Sequence, residues 1–478
     1  RCWRTMFAGV WIYNKLRNRL MKQDIKNIDY EWLFKPTGDP FVDAGGYALE
    51  EFSHYYPDAN LMDLIEKAAS IYVNKWGGKV HAFFLNSPIT QTAFKGKEKI
   101  ETLKYYQSLI NNVNGNQGFC RITGRYGYVF VAGRNNSILT GSGTYVNFHH
   151  DFQNGIMVSK EIIIRCFFLP LACEQLQGRI SLLNCSNPEI TAFFAELVCR
   201  RNMEAINNNI SKSVFKSKSA STSTALFRFV DEVLRNKTIQ FEEHMQCDLR
   251  MYLYTNFGAS PDLQIISLPF PIWHFYRFVM KSKYCDNWRD FVSQYYYIKG
   301  GKYISNGEYN LIVGKEVKKV TENDFKYWDN KIYKNLINGK SILPEMLVYS
   351  KKEILDFNIV KVYAIKIRKM KVETIEKINQ MADFIIANND DRNIGKAMTK
   401  LNAVTNSFLL RRFILNDIVK PNYDGEHEEA IVTVKDYVEY LFPDSDSWKE
   451  MRDVLLIAIY ERLHKLKKKV NIEDNKEL

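Results

Sequence analysis

The sequence contains no apolar run long enough to cross a lipid bilayer. A membrane-spanning helix needs about 18 or more consecutive apolar residues. The best candidate, Ile162–Cys173, is interrupted by Arg165 and Pro170. We therefore expect no membrane-spanning segment and no membrane partner, and we assign Ile162–Cys173 to the protein core.

Cysteine is scarce and scattered, with eight residues in a chain of 478. A structural zinc site of the finger or ribbon type needs close pairs such as Cys-x2-Cys, because its thiolates must converge on one ion. Cys120, Cys166, Cys173 and Cys185 each stand alone in the sequence. We expect buried, reduced thiols, no metal or other cofactor, and a cytoplasmic protein.

The common short catalytic motifs are also missing. The sequence has no Gly-x4-Gly-Lys-Ser/Thr loop, no His-Glu-x2-His motif and no Gly-x-Ser-x-Gly turn. The one local histidine pair, His149–His150, supports an alternative hypothesis, a metal-dependent nuclease that uses both residues with Asn147. Adjacent residues in a regular strand or helix point to different sides, which disfavours a shared metal ion. We therefore expect a non-catalytic protein.

Positive charge and aromatic rings are abundant. The chain has 66 Lys and Arg against 54 Asp and Glu, a net charge of +12, and 30 Phe stand beside 28 Tyr. A positive surplus of this size predicts a polyanionic partner such as a nucleic acid. Composition alone leaves open a general protein-interaction scaffold whose basicity is incidental.

Several short basic clusters are candidates for contact with phosphate groups. They are Lys212, Lys216 and Lys218; Lys315, Lys318 and Lys319; the pair Arg411 and Arg412; an N-terminal set of Arg4, Lys15, Arg17, Arg19 and Lys22; and the terminal Lys465, Lys467, Lys468 and Lys469. In the first cluster Phe215 lies between the lysines, which suits backbone contact combined with base stacking. The alternative for every cluster is a solvated charged surface, and for the terminal lysines a favourable helix C-terminus.

The stretch Gly141–Asn147 is a further candidate. Glycines flanked by Ser, Thr and Asn expose backbone N–H groups, which bind phosphates or let a nucleic-acid backbone approach closely. We place Gly141, Ser142, Gly143 and Asn147 in a nucleic-acid interface. The alternative is a plain hairpin turn.

The hydrophobic pattern predicts an α+β fold with a C-terminal α-helical bundle. Helical periods at Val372–Ala387, Ile394–Asn416, Thr433–Tyr440 and Ser447–Lys469 predict this bundle over residues 371–478. A mixed α/β domain is expected over residues 37–370, preceded by a basic extension over residues 1–36. The stretch 211–224, rich in Ser, Thr and Lys, predicts a mobile loop.

Five stretches, in this order, resemble the large subunit of type I CRISPR surveillance complexes (Cascade), subtype I-B. They are Thr37–Gly46, Phe84–Thr90, Leu139–Phe148, Phe168–Glu174 with its continuation to Asn187 and Pro188, and Trp448–Glu461. Many members of this family carry two Cys-x2-Cys pairs. Here Cys120–Thr123 keeps one thiol of the first pair and the second pair is not recognisable, so we expect the zinc site of the family to be degenerate.

The resemblance implies a non-catalytic subunit that contacts the 5′ handle of a CRISPR RNA. It also implies recognition of the PAM duplex in double-stranded target DNA and stabilisation of the R-loop. The implied protein partners are the Cascade backbone subunits, the small subunits, and a helicase–nuclease or transposition proteins, for which the helical bundle serves as a docking surface. In such systems base pairing reads the target, while the protein reads a short duplex and backbone shape.

Overall fold

The computed structural model describes residues 25–138, 155–236, 248–255, 262–304, 306–425, 429–443 and 447–470. The chain forms two compact units, Arg1–Leu268 and Pro269–Leu478. The boundary predicted near residue 370 therefore lies inside the second unit. In the predicted N-terminal extension, the helix Tyr30–Phe34 carries buried residues that belong to the core of the first unit.

Seven α-helices occur in the first unit within the described residues. They are α1 (Tyr30–Phe34), α2 (Pro40–His54), α3 (Leu61–Ser70), α4 (Glu98–Ile110), α5 (Lys160–Phe168), α6 (Pro188–Asn207) and α7 (Thr222–Arg235). A π-helical turn, Ile71–Lys75, extends α3, and a 3-10 turn, Leu169–Ala172, extends α5. The short 3-10 turn Thr92–Phe94 precedes α4.

Seven strands form two antiparallel sheets in the described part of this unit. They are β1 (Asn116–Phe119), β2 (Tyr126–Ala132), β3 (Ile156–Ser159), β4 (Glu174–Leu176), β5 (Arg179–Cys185), β6 (Leu249–Thr255) and β7 (Asp262–Leu268). The first sheet has the order β1–β2–β3, and the second has the order β4–β5–β6–β7. Strand β4 is therefore an edge strand of the second sheet. Helix α6 packs against the neighbouring strand, β5.

Helix α5 is the core element of the first unit. All nine of its residues are buried, and it packs against α2. Aromatic rings surround its last turn: the Tyr72 hydroxyl donates to the Phe167 carbonyl at 2.8 Å, and the rings of Phe84 and Phe167 stack at 5.8 Å between centroids. The assignment of Ile162–Cys173 to the core is confirmed.

Arg165, in the middle of α5, is a fully buried cation held by several acceptors. Its side chain is 0% exposed and its Nη2 donates to Asp43 Oδ1 at 2.7 Å. The same guanidinium donates to the carbonyl oxygens of Val42, Trp32 and Lys35 at 2.8–3.2 Å. A buried charge requires such partners, because an unpaired one would cost several kcal/mol, on the order of the 3–5 kcal/mol seen when a buried pair is broken.

The stretch Thr37–Gly46 builds the surroundings of this arginine. Asp39 caps α2 by accepting from the N–H groups of Phe41 and Val42. An added Cβ at Gly45 would lie 2.1 Å from the Arg165 carbonyl oxygen. Only glycine therefore permits this approach of α2 to α5, and the motif has a clear structural function.

The second unit is mainly helical. Its described helices are α8 (Phe270–Val279), α9 (Cys285–Ser293), α10 (Glu322–Phe325), α11 (Lys331–Ile337), α12 (Leu343–Ser350), α13 (Phe357–Lys366), α14 (Val372–Ala387), α15 (Asp391–Asn402), α16 (Ser407–Ile414), α17 (Lys420–Asp424), α18 (Val434–Asp436) and α19 (Trp448–Lys465). The π-helical turn Leu415–Val419 joins α16 to α17, and Tyr437–Leu441 extends α18.

One predicted C-terminal helix is two helices. The prediction ran from Ile394 to Asn416 without a break, but the chain leaves the helix after Asn402. Asn406 then starts α16, because its side chain accepts a hydrogen bond from the N–H of Leu409 at 2.9 Å. The single long helix was therefore a wrong prediction.

Short strands lie near the start of the second unit. They are β8 (Tyr296–Tyr297), β9 (Gly301–Ile304), β10 (Glu308–Val313), β11 (Glu316–Val320) and β12 (Asp329–Asn330). They pair in the orders β11–β10–β9 and β12–β8. A core of Tyr309, Val320, Phe325 and Trp328 supports the three-stranded sheet.

Helix α19 is the core element of the second unit. Every residue from Asp453 to Glu461 is buried, and the helix packs against α12, α13 and α14. Its central stretch, Val454–Ile459, is apolar on all sides, as expected of a helix in a protein interior. The α+β class, with an α/β N-terminal region and C-terminal helices, is confirmed. Among the described residues, no helix combines the length and apolar character needed to cross a bilayer.

Candidate nucleic-acid interface

The lysine-rich segment 211–220 is attached to the edge of the four-stranded sheet. The N–H of Gln175 in β4 donates to the Phe215 carbonyl at 2.7 Å, and the N–H of Ser217 donates to the Gln175 carbonyl at 2.9 Å. Lys216 lies between these two bonds, in a parallel bridge with Gln175. Backbone atoms thus fix the position of the segment and leave its lysine side chains in solvent.

Asn202 of α6 holds the same segment from the inside. Its side chain is fully buried, and its Oδ1 accepts from the Phe215 N–H at 2.8 Å. Its Nδ2 lies 3.0–3.2 Å from the carbonyl oxygens of Leu171, Cys173 and Val198. One amide therefore connects α6, the start of the sheet and the lysine-rich segment.

The predicted loop 211–224 ends earlier in the structure. Helix α7 begins at Thr222, because the Ser221 hydroxyl caps it by accepting from the N–H of Thr224. Val214 is 4% exposed and packs into the protein. The serine and threonine content that predicted a loop to residue 224 instead provides a helix cap.

A cavity of about 340 Å³ lies beside this segment. Its lining comes from three places in the first unit: the loop after α3, the β4–β5 hairpin with β6, and the lysine-rich segment. The residues that define it are Lys79, His81, Gln175, Ser213, Val214 and Tyr254.

The loop that carries Lys79 is fixed by its neighbours. Gly78 has a φ of +73°, and an added Cβ would lie 2.9 Å from the Ile89 carbonyl oxygen, so glycine is required there. Trp76 Nε1 donates to Ser211 Oγ at 2.9 Å, and Lys75 Nζ donates to Asn209 Oδ1 at 2.8 Å. The first bond joins this part of the chain to the lysine-rich segment, and the second joins it to the turn just before that segment.

Two of the parts of the chain that line this cavity carry exposed lysines, and we call this set the lysine rim: Lys79, which lines the cavity, and Lys212, Lys216 and Lys218 of the lysine-rich segment. Sequence reasoning found the last three and missed Lys79, for which the preceding Gly77–Gly78 turn was the available signal. Among the described residues, Lys79, Lys212 and Lys216 form no ion pair with a carboxylate. The rim offers positive charge to an external anion.

Glu174, the carboxyl group nearest to this segment along β4, is buried beneath it. Burial raises the pKa of Glu174 to about 7, while Arg201 and a hydrogen bond from Ser217 act in the opposite direction. Since the carboxyl holds its proton up to near neutral pH, it adds little negative charge under the rim in mildly acidic solution.

The other predicted lysine cluster belongs to the second unit. Lys315 occupies the two-residue turn between β10 and β11, and Lys318 and Lys319 lie on β11. All three are exposed. Lys319 Nζ lies 3.6 Å from Glu308 Oε2 across the sheet, while 70% of its side chain stays in solvent.

Arg411 and Arg412 have different environments on α16. Arg412 is exposed. The Arg411 guanidinium stacks over the Phe442 ring at 4.8 Å, and its buried Nε finds no hydrogen-bond partner in the described part of the chain. Arg411 thus serves packing within the second unit, and Arg412 alone presents its charge outward.

Several predicted positions lie outside the described residues. These are Gly141, Ser142, Gly143 and Asn147, the pair His149 and His150, and the N-terminal set of Arg4, Lys15, Arg17, Arg19 and Lys22. The terminal lysines are described: Lys465 Nζ is 2.9 Å from Glu461, and Lys468 Nζ is 2.9 Å from Asp391. These two lysines take part in ion pairs within the second unit.

Sequence reasoning overlooked the most basic stretch of the second unit. Residues 326–371 contain 11 Lys and Arg against four Asp and Glu, whereas residues 372–478 contain 16 against 20. Lys340, Lys366 and Lys369 of this stretch are exposed, and Lys369 adopts a φ of +62° after α13. Counting charge in windows, rather than in short clusters, would have found it.

The four cysteines considered in the sequence analysis are buried, as predicted. Cys120, Cys166, Cys173 and Cys185 are free and buried. The Cys120 sulfur accepts from the Thr123 N–H at 3.5 Å, so a threonine stands where a second thiol would be needed. In the part of the chain that is described, no three His, Cys, Asp or Glu side chains converge in a way that would hold a metal ion.

Comparison with known proteins gives one result for the C-terminal part. Residues 351–477 match the family model described as the DevT C-terminal domain. The matched range begins in the turn after α12 and includes α13 to α19. No curated protein and no solved structure matches the chain significantly.

Proposed function

We propose that this chain is the non-catalytic large subunit of a CRISPR RNA-guided DNA-targeting complex of type I-B. In this role it recognises the PAM duplex, stabilises the R-loop and provides the docking surface for a helicase–nuclease or for transposition proteins. The observation that carries the proposal is the lysine rim. Two parts of the first unit that line one cavity, the loop with Lys79 and the lysine-rich segment, present exposed lysines, and backbone hydrogen bonds hold the lysine-rich segment in place.

Electrostatics supports a nucleic-acid partner for the rim. Lysines that neutralise phosphates release counterions, and this release supplies much of the affinity for DNA and RNA. Because the segment is already held in place, its lysines lose less conformational entropy on binding than the lysines of a loop that must first become ordered. Lys212, Lys216 and Lys218 are therefore assigned to DNA phosphates, with Lys79 beside them.

The charge distribution of the second unit supports a division of labour. The basic stretch 326–371 suits contact with nucleic acid, whereas the acidic balance of residues 372–478 does not. The C-terminal helices are therefore assigned to protein contacts with small subunits and the recruited effector. Arg411 is removed from the nucleic-acid contacts because it packs on Phe442.

The first test reverses the charge of the rim. A Lys212→Glu, Lys216→Glu, Lys218→Glu variant, assembled with its partner subunits, should bind target duplex more weakly. The slope of log K against log salt should become shallower by about 0.9 for each phosphate that the protein no longer neutralises. Filter binding or fluorescence anisotropy at several salt concentrations measures both quantities.

A matched control separates local contact from total charge. Lys396, Lys420 and Lys435 are exposed lysines in the acidic C-terminal stretch, and their reversal to Glu changes the net charge equally. This control should keep the parental salt slope. An unchanged slope in the rim variant, or an equal change in the control, contradicts the assignment of the rim to DNA.

The second test addresses the assembly itself. The tagged chain, purified from cells that express the neighbouring genes, should carry a repeat-derived RNA and backbone subunits with it. A chain that purifies alone, free of RNA, contradicts membership in such a complex and favours the general scaffold hypothesis.

A further inference from the structure

The β1–β2 hairpin exposes a group of aromatic rings to solvent. Phe119 is 65% exposed, Tyr126 is 64% exposed and Tyr128 is 45% exposed. The strand register places Phe119 opposite Tyr126 and Gln117 opposite Tyr128. Since directly paired residues of an antiparallel sheet share a face, these four side chains form one surface, which we call the aromatic face.

Two rings of the aromatic face, Phe119 and Tyr126, contact each other at the surface. The centroids of Phe119 and Tyr126 are 5.1 Å apart, with their planes at 68°. Burial of apolar surface stabilises a protein by about 25 cal/mol for each Å² removed from water. The exposed rings do not contribute this stabilisation to the fold. Clustered exposed rings of this kind are typical of a binding surface.

The sequence around the aromatic face has a positive surplus, which suits a polyanion, although the charge of Arg125 is already paired with Asp29. Arg121 and Arg125 lie in the turn that connects β1 to β2, and both are exposed. The Arg125 guanidinium is 2.7 Å from Asp29 and stacks over Trp32 at 5.0 Å. The 49 residues from Thr102 to His150 contain no Asp or Glu, although they contain four Lys and Arg.

We propose that the aromatic face binds single-stranded RNA by stacking unpaired bases on Phe119, Tyr126 and Tyr128. This inference rests on the proposed function, but it concerns a surface separate from the lysine rim. Alternate residues of a strand lie about 6.7 Å apart, so Tyr126 and Tyr128 offer successive stacking positions. Aromatic side chains on a sheet surface recognise unpaired RNA bases in this manner.

RNA is favoured over DNA by the polar groups beside the rings. The hydroxyls of Tyr126 and Tyr128 and the amide of Gln117 lie on the aromatic face. Each can donate to or accept from a ribose 2′-hydroxyl, which is the group that distinguishes RNA from DNA at a protein surface.

The test measures binding of the full-length chain to a fluorescein-labelled 12-nucleotide oligouridine RNA and to its oligothymidine DNA counterpart. A Phe119→Ala, Tyr126→Ala variant should bind the RNA about tenfold to 100-fold more weakly, which corresponds to the removal of one or two stacked bases. Its salt slope should match that of the parent, because neither side chain is charged. A thermal melt checks that the variant is folded.

Two controls isolate stacking from other effects. Phe119→Tyr with Tyr126→Phe keeps both rings and should retain parental RNA affinity. Phe408→Ala with Tyr423→Ala removes the same residue types from the second unit, where they are 70% and 84% exposed, and should leave RNA affinity unchanged.

The outcomes separate this inference from the proposed function. Parental RNA affinity in the alanine variant, together with weakened DNA binding in the rim variant, overturns the aromatic face and leaves the proposed function standing. Equal losses for RNA and DNA overturn the preference for RNA. Retained RNA affinity with loss of a co-purifying subunit identifies a protein interface instead. A parent that binds neither RNA nor DNA, alone or with its subunits, overturns both proposals.

Discussion

Glu174 is the residue whose titration should be visible in the stability of the fold. Its pKa is raised from the usual 4.5 to about 7 by burial. Between these values the native state keeps the proton and the unfolded chain releases it, so this carboxyl lowers stability as the pH rises from 4.5 to 7. The total effect is about 3 kcal/mol, from 1.36 kcal/mol for each unit of pKa difference.

The corresponding prediction concerns Glu174→Gln. The glutamine keeps a polar group for Ser217 but does not titrate, so the variant should gain stability over the parent as the pH rises. Urea unfolding at pH 5 and pH 8 measures this difference, with an expected gain of up to about 3 kcal/mol at the higher pH. Glu204→Gln, at an exposed position on α6, should follow the parent. Parallel pH dependences for Glu174→Gln and the parent would rule out a titrating role for Glu174.

Individual site residues were predictable where a local pattern marks them. Lys212, Lys216 and Lys218 stand in a stretch of small polar residues, so their exposure followed from composition. Asn202 was not predictable, because its four hydrogen-bond partners include Phe215, 13 positions away, and Leu171, 31 positions away. Only the folded chain brings these groups together.

At the scale of elements, helices were predicted well where periodicity is long and uninterrupted. The helix Val372–Ala387 has the predicted bounds. Boundaries set by a single capping side chain were missed, at Asn406 and at Ser221. The reason is that Ser and Asn occur both in loops and at helix caps, and the sequence pattern does not separate the two.

The attachment of the lysine-rich segment to the sheet gives a prediction for one residue that connects three elements. Asn202→Ala removes the acceptor of the Phe215 N–H and the donor to the carbonyls of Leu171, Cys173 and Val198, so the free energy of unfolding should fall by about 2 kcal/mol. Hydrogen exchange at the amide of Phe215 should accelerate more than at the centre of α6. Peptide-resolved exchange mass spectrometry measures this effect.

The control for this variant is Asn207→Ala, which changes an exposed residue at the end of the same helix. It should change exchange at Phe215 little. Equal protection of Phe215 in Asn202→Ala and in the parent would show that the sheet edge alone holds the segment.

At the scale of the whole chain, the position of the last helix determines which parts can fold independently. The N–H of Phe357 donates to Glu461 Oε1 at 2.9 Å, and His464 Nε2 is 2.8 Å from the Ser350 carbonyl oxygen. Both bonds join residues on opposite sides of residue 370, where long helical periods begin to dominate the sequence. This change in sequence pattern marks the start of a run of helices. It does not mark where the packed unit begins, because that depends on the contacts of α19, which the sequence does not show.

Two fragments of the second unit test whether the helices after residue 370 fold without α12 and α13. Residues 269–478 should melt cooperatively, because α19 keeps α12, α13 and α14 around it. Residues 371–478 lack α12 and α13 and should expose apolar surface, bind a hydrophobic dye and associate. Circular dichroism melts and size-exclusion chromatography distinguish the two fragments. A sharp melt and a monomeric elution for residues 371–478 would place the folding boundary near residue 370 after all.

The backbone attachment of the lysine-rich segment has an evolutionary consequence. Gln175, Phe215 and Ser217 are joined through main-chain atoms, so the side chains at Lys212, Lys216 and Lys218 can be exchanged without releasing the segment from the sheet. Substitutions at these positions are therefore free to accumulate one at a time. The charge of this surface can therefore change between related proteins while the segment stays on the edge of the sheet.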